Sequence, residues 1–347
     1  MDVVIVGAGI MGCAVAWELA RAGVRVTVLE KAIPGAEASS AAGGILAPLC
    51  EAPEDGPLRE LGIASLDRYP DWVSRLENES GSDVGFRRCG VLHVALDDSG
   101  LGEHDRMFRQ LRGLPCERMD GERARTRWSW LSPRTRDALW FPTQATVDNA
   151  ALVRALHVAA ERAGARFVTN QVVDRLPTAE QVVLCAGAWT SALGAPTTHL
   201  GIRPIRGQML AVRGPVLDTV TFVAGRGYLV PRLDGRVLVG STMEDVGFEK
   251  VVTSDGLHAL TGLLADVAPG WSTSTVVDVW AGFRPRTADG LPAIGALGPG
   301  LWVASGHHRN GILLTPITAE ILVAQMLGRP LRLPVSAFDP RRLAGGS

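Results

Sequence analysis

The chain is almost devoid of lysine: of its 35 basic residues, only Lys31 and Lys250 are not arginine. In such a composition a lone arginine is weak evidence for a guanidinium placed for a task. An excess of charge of either sign is also missing. The 35 basic residues face 36 acidic ones, a net charge of -1, which gives no long-range field for a polyanion and excludes nucleic acid as the expected partner. The five cysteines, Cys13, Cys50, Cys89, Cys116 and Cys185, are odd in number, scattered and without a C-x-x-C pair. Neither a disulfide framework nor a thiolate metal site is indicated, and a reducing cytoplasm is the expected compartment. The N-terminus has Asp2 where a secretion leader would be basic, and Gly7, Gly9 and Gly12 interrupt its apolar run, so no signal peptide is expected. The longest uncharged stretch, 181–202, contains Thr190, Ser191, Pro196, Thr197, Thr198 and His199. It lacks the ~20 predominantly apolar residues of a membrane span.

The 347 residues are enough for about two domains with a sizeable core. Forty glycines without a three-residue period point to tight turns and close backbone approaches in a globular enzyme. Residues 2–6, 10–22 and 25–29 read as strand, helix and strand, a β-α-β unit. The stretch 34–57, rich in Gly, Ala, Ser and Pro, reads as a long surface loop with short ordered pieces, and loops of that length are usually functional. Helical spacing follows at 58–78, strand alternation at 91–96, and a charged helical region at 102–127. A helix over 147–163 capped by Asp148 leads into strands at 166–169 and 181–185. Period-two alternation with glycine punctuation over 209–242 predicts an antiparallel sheet. A strand at 301–304, a loop at 305–310 and a helix from about Gly311 to Leu327 close the chain, so two domains interleave in sequence.

Four segments carry chemistry. The first is Gly7-Ala8-Gly9-Ile10-Met11-Gly12 between a strand and a helix, with Glu30 ending the next strand. Gly7 permits the tight turn, Gly9 lets backbone N–H groups approach a pyrophosphate at the helix N-terminus, Gly12 allows close helix–strand packing, and Glu30 can accept from ribose hydroxyls. A carboxylate at Glu30 disfavours a 2′-phosphate, which leaves FAD or NAD. The second is the strand 181–185 running into Ala186-Gly187-Ala188-Trp189, which on its own could be any buried strand end. The third, 280–295, sets Arg284 between an apolar strand and a proline-fixed turn, either a functional guanidinium or a surface one. The fourth, Gly306-His307-His308-Arg309-Asn310-Gly311-Ile312, offers N–H groups at a helix start. Its adjacent histidines lack the Asp, Glu or His company of a metal site, so no metal is expected.

Taken together and in this order, these segments resemble the FAD-dependent amino-acid and amine oxidoreductases of the D-amino-acid oxidase superfamily, and within it glycine oxidases of the thiamine-pathway ThiO type. The likeness covers nearly the whole chain. It includes the loop Ser39-Ser40-Ala41-Ala42-Gly43-Gly44-Ile45-Leu46-Ala47-Pro48, Val147-Asp148, Arg206-Gly207-Gln208, residues 228–232 and 240–243, and both C-terminal segments. The implied fold is α/β: a Rossmann-type FAD-binding domain interleaved with an antiparallel-sheet substrate domain. The division expected is 1–80, 141–200 and 284–347 for FAD, and 81–140 and 201–283 for substrate.

By this resemblance Gly7, Gly9, Ile10, Met11, Gly12, Glu30 and Lys31 would hold the ADP part of FAD. Ser39, Ser40, Gly43, Gly44 and Leu46 would line the pyrophosphate and flavin, and Val173 would meet the adenine, with Ala186, Gly187 and Trp189 nearby. His307, Arg309, Asn310, Gly311 and Ile312 would face the flavin N1 and C2 carbonyl, where negative charge develops on reduction. Arg284 matches the substrate-carboxylate arginine, and Tyr228, Arg309 and Met243 match the remaining pocket positions. Arg226 stands where a pocket-rim histidine is usual; it would recognise a second anionic group or lie exposed among the many arginines. The implied reaction passes the α-hydrogen of a neutral amine as a hydride to flavin N5, after which water hydrolyses the imine. Glyoxylate, ammonia or an amine, and hydrogen peroxide from molecular oxygen would result. Glycine and sarcosine are the default substrates; N-alkylglycine or N-carboxymethyl amino-acid oxidation in secondary metabolism and D-amino-acid dehydrogenation are the alternatives. No cysteine lies in the C-terminal flavin segment, so FAD should be noncovalent, and a homo-oligomer is expected.

Overall fold

The computed structural model describes residues 1–345 except 216, 272 and 332. A six-stranded sheet runs in the spatial order Ala293–Gly298, Leu301–Ser305, Gln181–Leu184, Asp2–Val6, Arg25–Leu29, Arg166–Val168. The last five are parallel, and Ala293–Gly298 is the antiparallel edge. Asp2–Val6 is central, so the turn after Val6 opens at the carboxyl edge of the parallel strands, the usual place for a ligand in such sheets. The helix Ile10–Arg21 is wholly apolar over its buried length and packs on this sheet with the helices Asn149–Arg162 and Thr315–Met326. Trp17, fully buried, meets Trp72 of the helix Pro57–Ser80 edge-on at 5.6 Å and donates its indole N–H to Glu79 at 2.6 Å. The polar end of the ring is thus satisfied.

The second sheet has eight strands, in the order Thr275–Arg286, Arg203–Arg213, Arg236–Gly240, Gly227–Pro231, Val220–Val223, Val91–Ala95, Asp137–Phe141, Glu117–Asp120. Neighbours are antiparallel apart from the parallel pair Val91–Ala95 and Val220–Val223. Apolar clusters cover both of its faces. One contains Tyr228, Met209 and Phe222, the side that looks toward the first sheet. The expected divisions at 140/141 and 283/284 fall inside the strands Asp137–Phe141 and Thr275–Arg286. No helix among the described residues is long and apolar enough to cross a membrane.

Two local expectations change. The charged region 102–127 is not one helix: it divides into the helix Asp98–Gln110, the strand Glu117–Asp120 and the helix Gly121–Arg127. Gly113 at φ +81° lies in the turn that follows the first piece. Asp97 and Asp120 cap the two helices by accepting from Gly100 and Arg123 N–H groups. The final helix starts at Thr315, not Gly311, with Pro316 in its first turn where a missing N–H costs nothing, and residues 308–310 form a separate 3-10 turn.

Candidate functional site

The cavity lies between the two sheets, with a volume of about 290 Å³. Its cofactor end is built by the glycine turn. Gly7 has φ +100° and its N–H donates to Leu29 at 2.8 Å; a Cβ there would stand 2.6 Å from the Cys185 carbonyl oxygen. A Cβ on Gly12 would overlap the Gly7 carbonyl, so helix and strand can touch only because both residues are glycine. Gly9 precedes the helix without capping it, and Ser39 does so instead: Ile10 N–H donates to Ser39 Oγ at 2.9 Å. Glu30 is buried and turned toward the same corner. Its two oxygens accept from Ala8 N–H at 2.7 Å and Ala32 N–H at 2.9 Å, so the carboxylate ties the glycine turn to the second strand.

Lys31, Val173, Ala186, Gly187 and Trp189 continue the cavity wall. The Lys31 ammonium stands 3.3 Å over the Trp189 ring and 3.1 Å from Glu37. Burial raises the Glu37 carboxyl, but the Lys250 and Lys31 ammonium groups outweigh it and hold the group below its usual range. The loop around Ser39 to Gly44 is pinned from several sides. Asn149 Nδ2 donates to the carbonyls of Ser39 at 2.7 Å and Ser40 at 3.1 Å, Thr146 Oγ1 donates to Gly44 at 3.0 Å, and Trp280 Nε1 donates to Ala41 at 3.1 Å. A Cβ on Gly44 would overlap the Val147 carbonyl, so this approach requires glycine. The site therefore offers a helix start, a glycine cradle and a long apolar cleft, and it fits a flavin dinucleotide.

At the other end of the cavity stand Tyr228, Arg284, His308 and Arg309. Arg284 lies flat over Gly207 of the adjacent strand. Its guanidinium donates to the Thr242 carbonyl at 3.2 Å and to Ser241 Oγ, and no carboxylate of the described residues pairs with it. Arg309, in contrast, is held bidentately by Glu51, with Nε at 2.6 Å and Nη2 at 3.1 Å. That carboxylate pushes the Arg309 pKa up and neutralises its charge. Among the described residues Tyr228 has one weak acceptor for its hydroxyl, Met209 Sδ at 3.6 Å. His307 contributes backbone to the wall, while its ring is buried against Thr318 Oγ1 at 3.0 Å, and burial pushes its pKa down to about 3.

Gly7, Gly9, Ile10, Met11, Glu30, Lys31, Ser39, Gly43, Gly44, Val173, Ala186, Gly187, Trp189, Tyr228, Arg284, His307, Arg309, Gly311 and Ile312 of the expected residues line this one cavity. Six do not. Gly12 acts beneath the turn, by packing. Arg226 points away from the cavity, held by Asp266 at 2.7 Å, because it sits in the exposed turn before the strand that carries Tyr228. Met243 is half exposed beyond the Ser241–Thr242 segment that grips Arg284. Leu46 is fully buried in the pairing with Ala145, leaving Ile45 to face the cavity. Ser40 contributes its carbonyl to Asn149, and Asn310 is buried inside the 3-10 turn. Sequence reasoning missed Glu51, Gly207, Met209 and His308, whose tasks depend on neighbours far away in the chain.

The sequence matches the family model described as FAD dependent oxidoreductase over residues 2–325. It is 33% identical to the glycine oxidase of Geobacillus kaustophilus over 97% of this chain and 94% of that protein. A crystal structure of glycine oxidase from Geobacillus kaustophilus superposes with a TM-score of 0.93, at 31% identity over 97% of each chain. Similarity to the bifunctional protein ThiO/ThiG of a Synechocystis species is 34% over 98% of this chain, which spans about half, 54%, of that protein's length. The crystal structure of iminodiacetate oxidase from Chelativorans sp. BNC1 superposes with a TM-score of 0.85 at 25% identity, covering 97% of this chain and 98% of that one.

Proposed function

Because the chain belongs to the FAD-dependent oxidoreductases, we propose that it oxidises glycine, sarcosine or a simple N-alkylglycine to glyoxylate and ammonia or an amine, with oxygen reduced to hydrogen peroxide. Residues 1–80, 141–200 and 284–347 are read as the cofactor-binding part, and 81–140 and 201–283 as the substrate-binding part. The observation that carries the proposal is Arg284: a guanidinium facing the cavity with no acidic partner among the described residues, held by the Thr242 carbonyl and Ser241 hydroxyl. A planar fork of donors in that state is built for a carboxylate.

When bound, FAD supplies the acceptor for the hydrogen and electron pair that leave the substrate α-carbon. The protein's part is positioning. Arg284 takes the carboxylate and Tyr228 offers its poorly satisfied O–H to the same group. The pinned 39–44 loop supports the cofactor side of the pocket. The backbone of 307–312 lines the wall where the flavin pyrimidine edge would rest, so that fixed N–H dipoles meet the developing charge. No side chain is needed as a base once the amine enters neutral, and fixed geometry supplies much of the acceleration.

Charge balance favours substrates with one carboxylate: Glu51 neutralises Arg309, Asp266 removes Arg226 from the pocket, and Arg284 is left as the free anchor. The test is peroxide and glyoxylate release from glycine, sarcosine, N-ethylglycine and iminodiacetate. Turnover of the first three above the fourth supports the reading. Turnover of iminodiacetate alone, or activity only with an artificial electron acceptor, contradicts it.

A further inference from the structure

The segment from Ser241 to Thr253, between the strand Arg236–Gly240 and the helix Ser254–Val267, grips Arg284 at its start, and its remaining residues have no part in the scheme above. It is tied down from the strand Arg203–Arg213. The buried Arg206 guanidinium donates to Glu244 at 2.8 Å and to the Glu249 carbonyl at 3.0 Å, and Gln208 pairs with Thr253 at 2.8 and 3.1 Å. Between these ties the chain turns at Gly247, φ +62°, and sends Phe248 and Lys250 across to the side of the six-stranded sheet. Phe248 stacks on Trp189 with ring centroids 5.0 Å apart and meets Phe283 edge-on at 5.5 Å. Lys250 Nζ stands 2.7 Å from Glu37, and Glu37 also holds Lys31 at 3.1 Å. The Lys31 ammonium in turn lies 3.3 Å from the centroid of the Trp189 ring. These contacts close a ring: Lys250, Glu37, Lys31, Trp189, Phe248 and back along the chain.

The fold fixes where this ring stands. The strands Arg25–Leu29 and Gln181–Leu184 flank Asp2–Val6, and Lys31 and Trp189 follow their carboxyl ends. A contact between the two side chains bridges the end of the middle strand, where the glycine turn begins. Lys31, Glu37 and Trp189 line the cavity yet stay partly open to solvent, so the ring lies at the cavity mouth, and Phe248 and Lys250 back it from outside the lining. Resting on the reading of this cavity as the FAD site, we propose that Phe248 and Lys250 are positioning residues that latch FAD in its cleft, acting through Trp189 and Glu37. The stack and the ion pair must part before a dinucleotide passes the mouth. Neither residue lines the cavity, so their contacts do not depend on FAD. Loosening them speeds its release and its uptake by the same factor and leaves its affinity nearly unchanged. A residue that supports the binding surface itself behaves otherwise, raising release alone.

The test follows flavin fluorescence as FAD leaves the loaded full chain on dilution, and as it re-enters the full chain stripped of FAD. Phe248→Ala, which removes two aromatic contacts, should speed both rates by about 2- to 12-fold, and Lys250→Glu, which sets two carboxylates against each other, by about 5-fold. The double variant should be faster in both directions by about 10-fold or more, with Kd within about threefold of wild type. Phe248→Tyr and Lys250→Arg keep the ring and the charge and should stay within about twofold of wild type. Lys250 is exposed, and its charge reversal carries the test if Phe248→Ala does not fold. Both rates within about twofold of wild type in the double variant, or in Lys250→Glu where that variant carries the test, overturn the proposal. Faster release with unchanged uptake also overturns it, because that is a loss of affinity. A wild type that binds no FAD overturns the cofactor reading of the cavity, and the latch with it.

Discussion

Gly207→Ala is a small substitution with a large expected effect on turnover. A Cβ at residue 207 would come within 2.5 Å of Arg284 Cζ and closer still to both terminal nitrogens, so the guanidinium must leave its seat on the strand. Its contacts with the Thr242 carbonyl and Ser241 Oγ fix that seat and would be lost together. The displaced arginine would forfeit a two-pronged grip on the substrate carboxylate. At about 1.5–3 kcal/mol per charge-assisted hydrogen bond, two such bonds amount to about 3–6 kcal/mol, or roughly 150- to 25,000-fold in kcat/KM. The fold should tolerate the change, because the clashing group is the end of a flexible side chain and alanine costs a strand less backbone entropy than glycine. Steady-state peroxide release, flavin absorbance and thermal unfolding separate these effects. The reasoning expects kcat/KM to collapse with flavin content and Tm nearly unchanged, Arg284→Ala to behave alike, and the double variant to be little worse than either single one. A Gly207→Ala enzyme within about threefold of wild type would show that the position of Arg284 over this glycine does not set turnover.

Arg226→Ala removes an ion pair with Asp266 outside the cavity and should leave kcat/KM within about twofold and stability within about 1 kcal/mol; a large loss of activity would return Arg226 to the pocket. Glu30→Ala leaves the Ala8 and Ala32 N–H groups without their acceptor, at about 1–3 kcal/mol each, and the purified variant should melt earlier and lose flavin on gel filtration. Unchanged Tm and flavin content would contradict that tie. Acid should also destabilise the fold through His93 and His307, whose folded pKa values are pushed down to about 3 from 6.5, in both cases chiefly by burial. Between those values the unfolded chain binds more protons, so stability rises with pH and is lost on going down from about 6.5. With both groups contributing fully, the slope approaches about 2.7 kcal/mol per pH unit. Denaturant unfolding at pH 7, 6 and 5 measures it, and a flat profile would mean that the two rings are protonated in the folded state.

What could be read in advance follows from how local the physics is. The glycine turn, Glu30 and the Asp148 cap answer to backbone geometry within one β-α-β or helix-start unit, and they stand at or within a residue of the expected places. The Arg284 position came from resemblance, since in an arginine-rich chain nothing local distinguishes it from a surface guanidinium. Its environment is made by Gly207 and the 241–242 segment, 77 and about 42 positions away, and such pairings leave no local pattern. Arg309 and Glu51 illustrate the same limit: a cation that looks free in sequence is neutralised by a partner 258 positions distant. Arg226 and Met243 lie just off a strand, where period-two alternation does not decide which way a side chain points, so of the two readings open for Arg226 the structure shows the exposed one, paired with Asp266, and Met243 stands outside the cavity wall. The start of the last helix lies at Thr315, where Pro316 in the first turn marks it, a signal that is visible in advance.

The most direct measurement is anaerobic mixing of the flavin-loaded protein with glycine and with sarcosine, read as loss of the oxidised flavin absorbance in wild type and in Arg284→Ala. The account predicts bleaching of the wild type within its turnover time by at least one of the two, and a variant that keeps its flavin spectrum but bleaches at least 100-fold more slowly at equal substrate. Equal bleaching of both proteins, or a wild type that neither amine reduces, would contradict the placement of an α-amino carboxylate at Arg284.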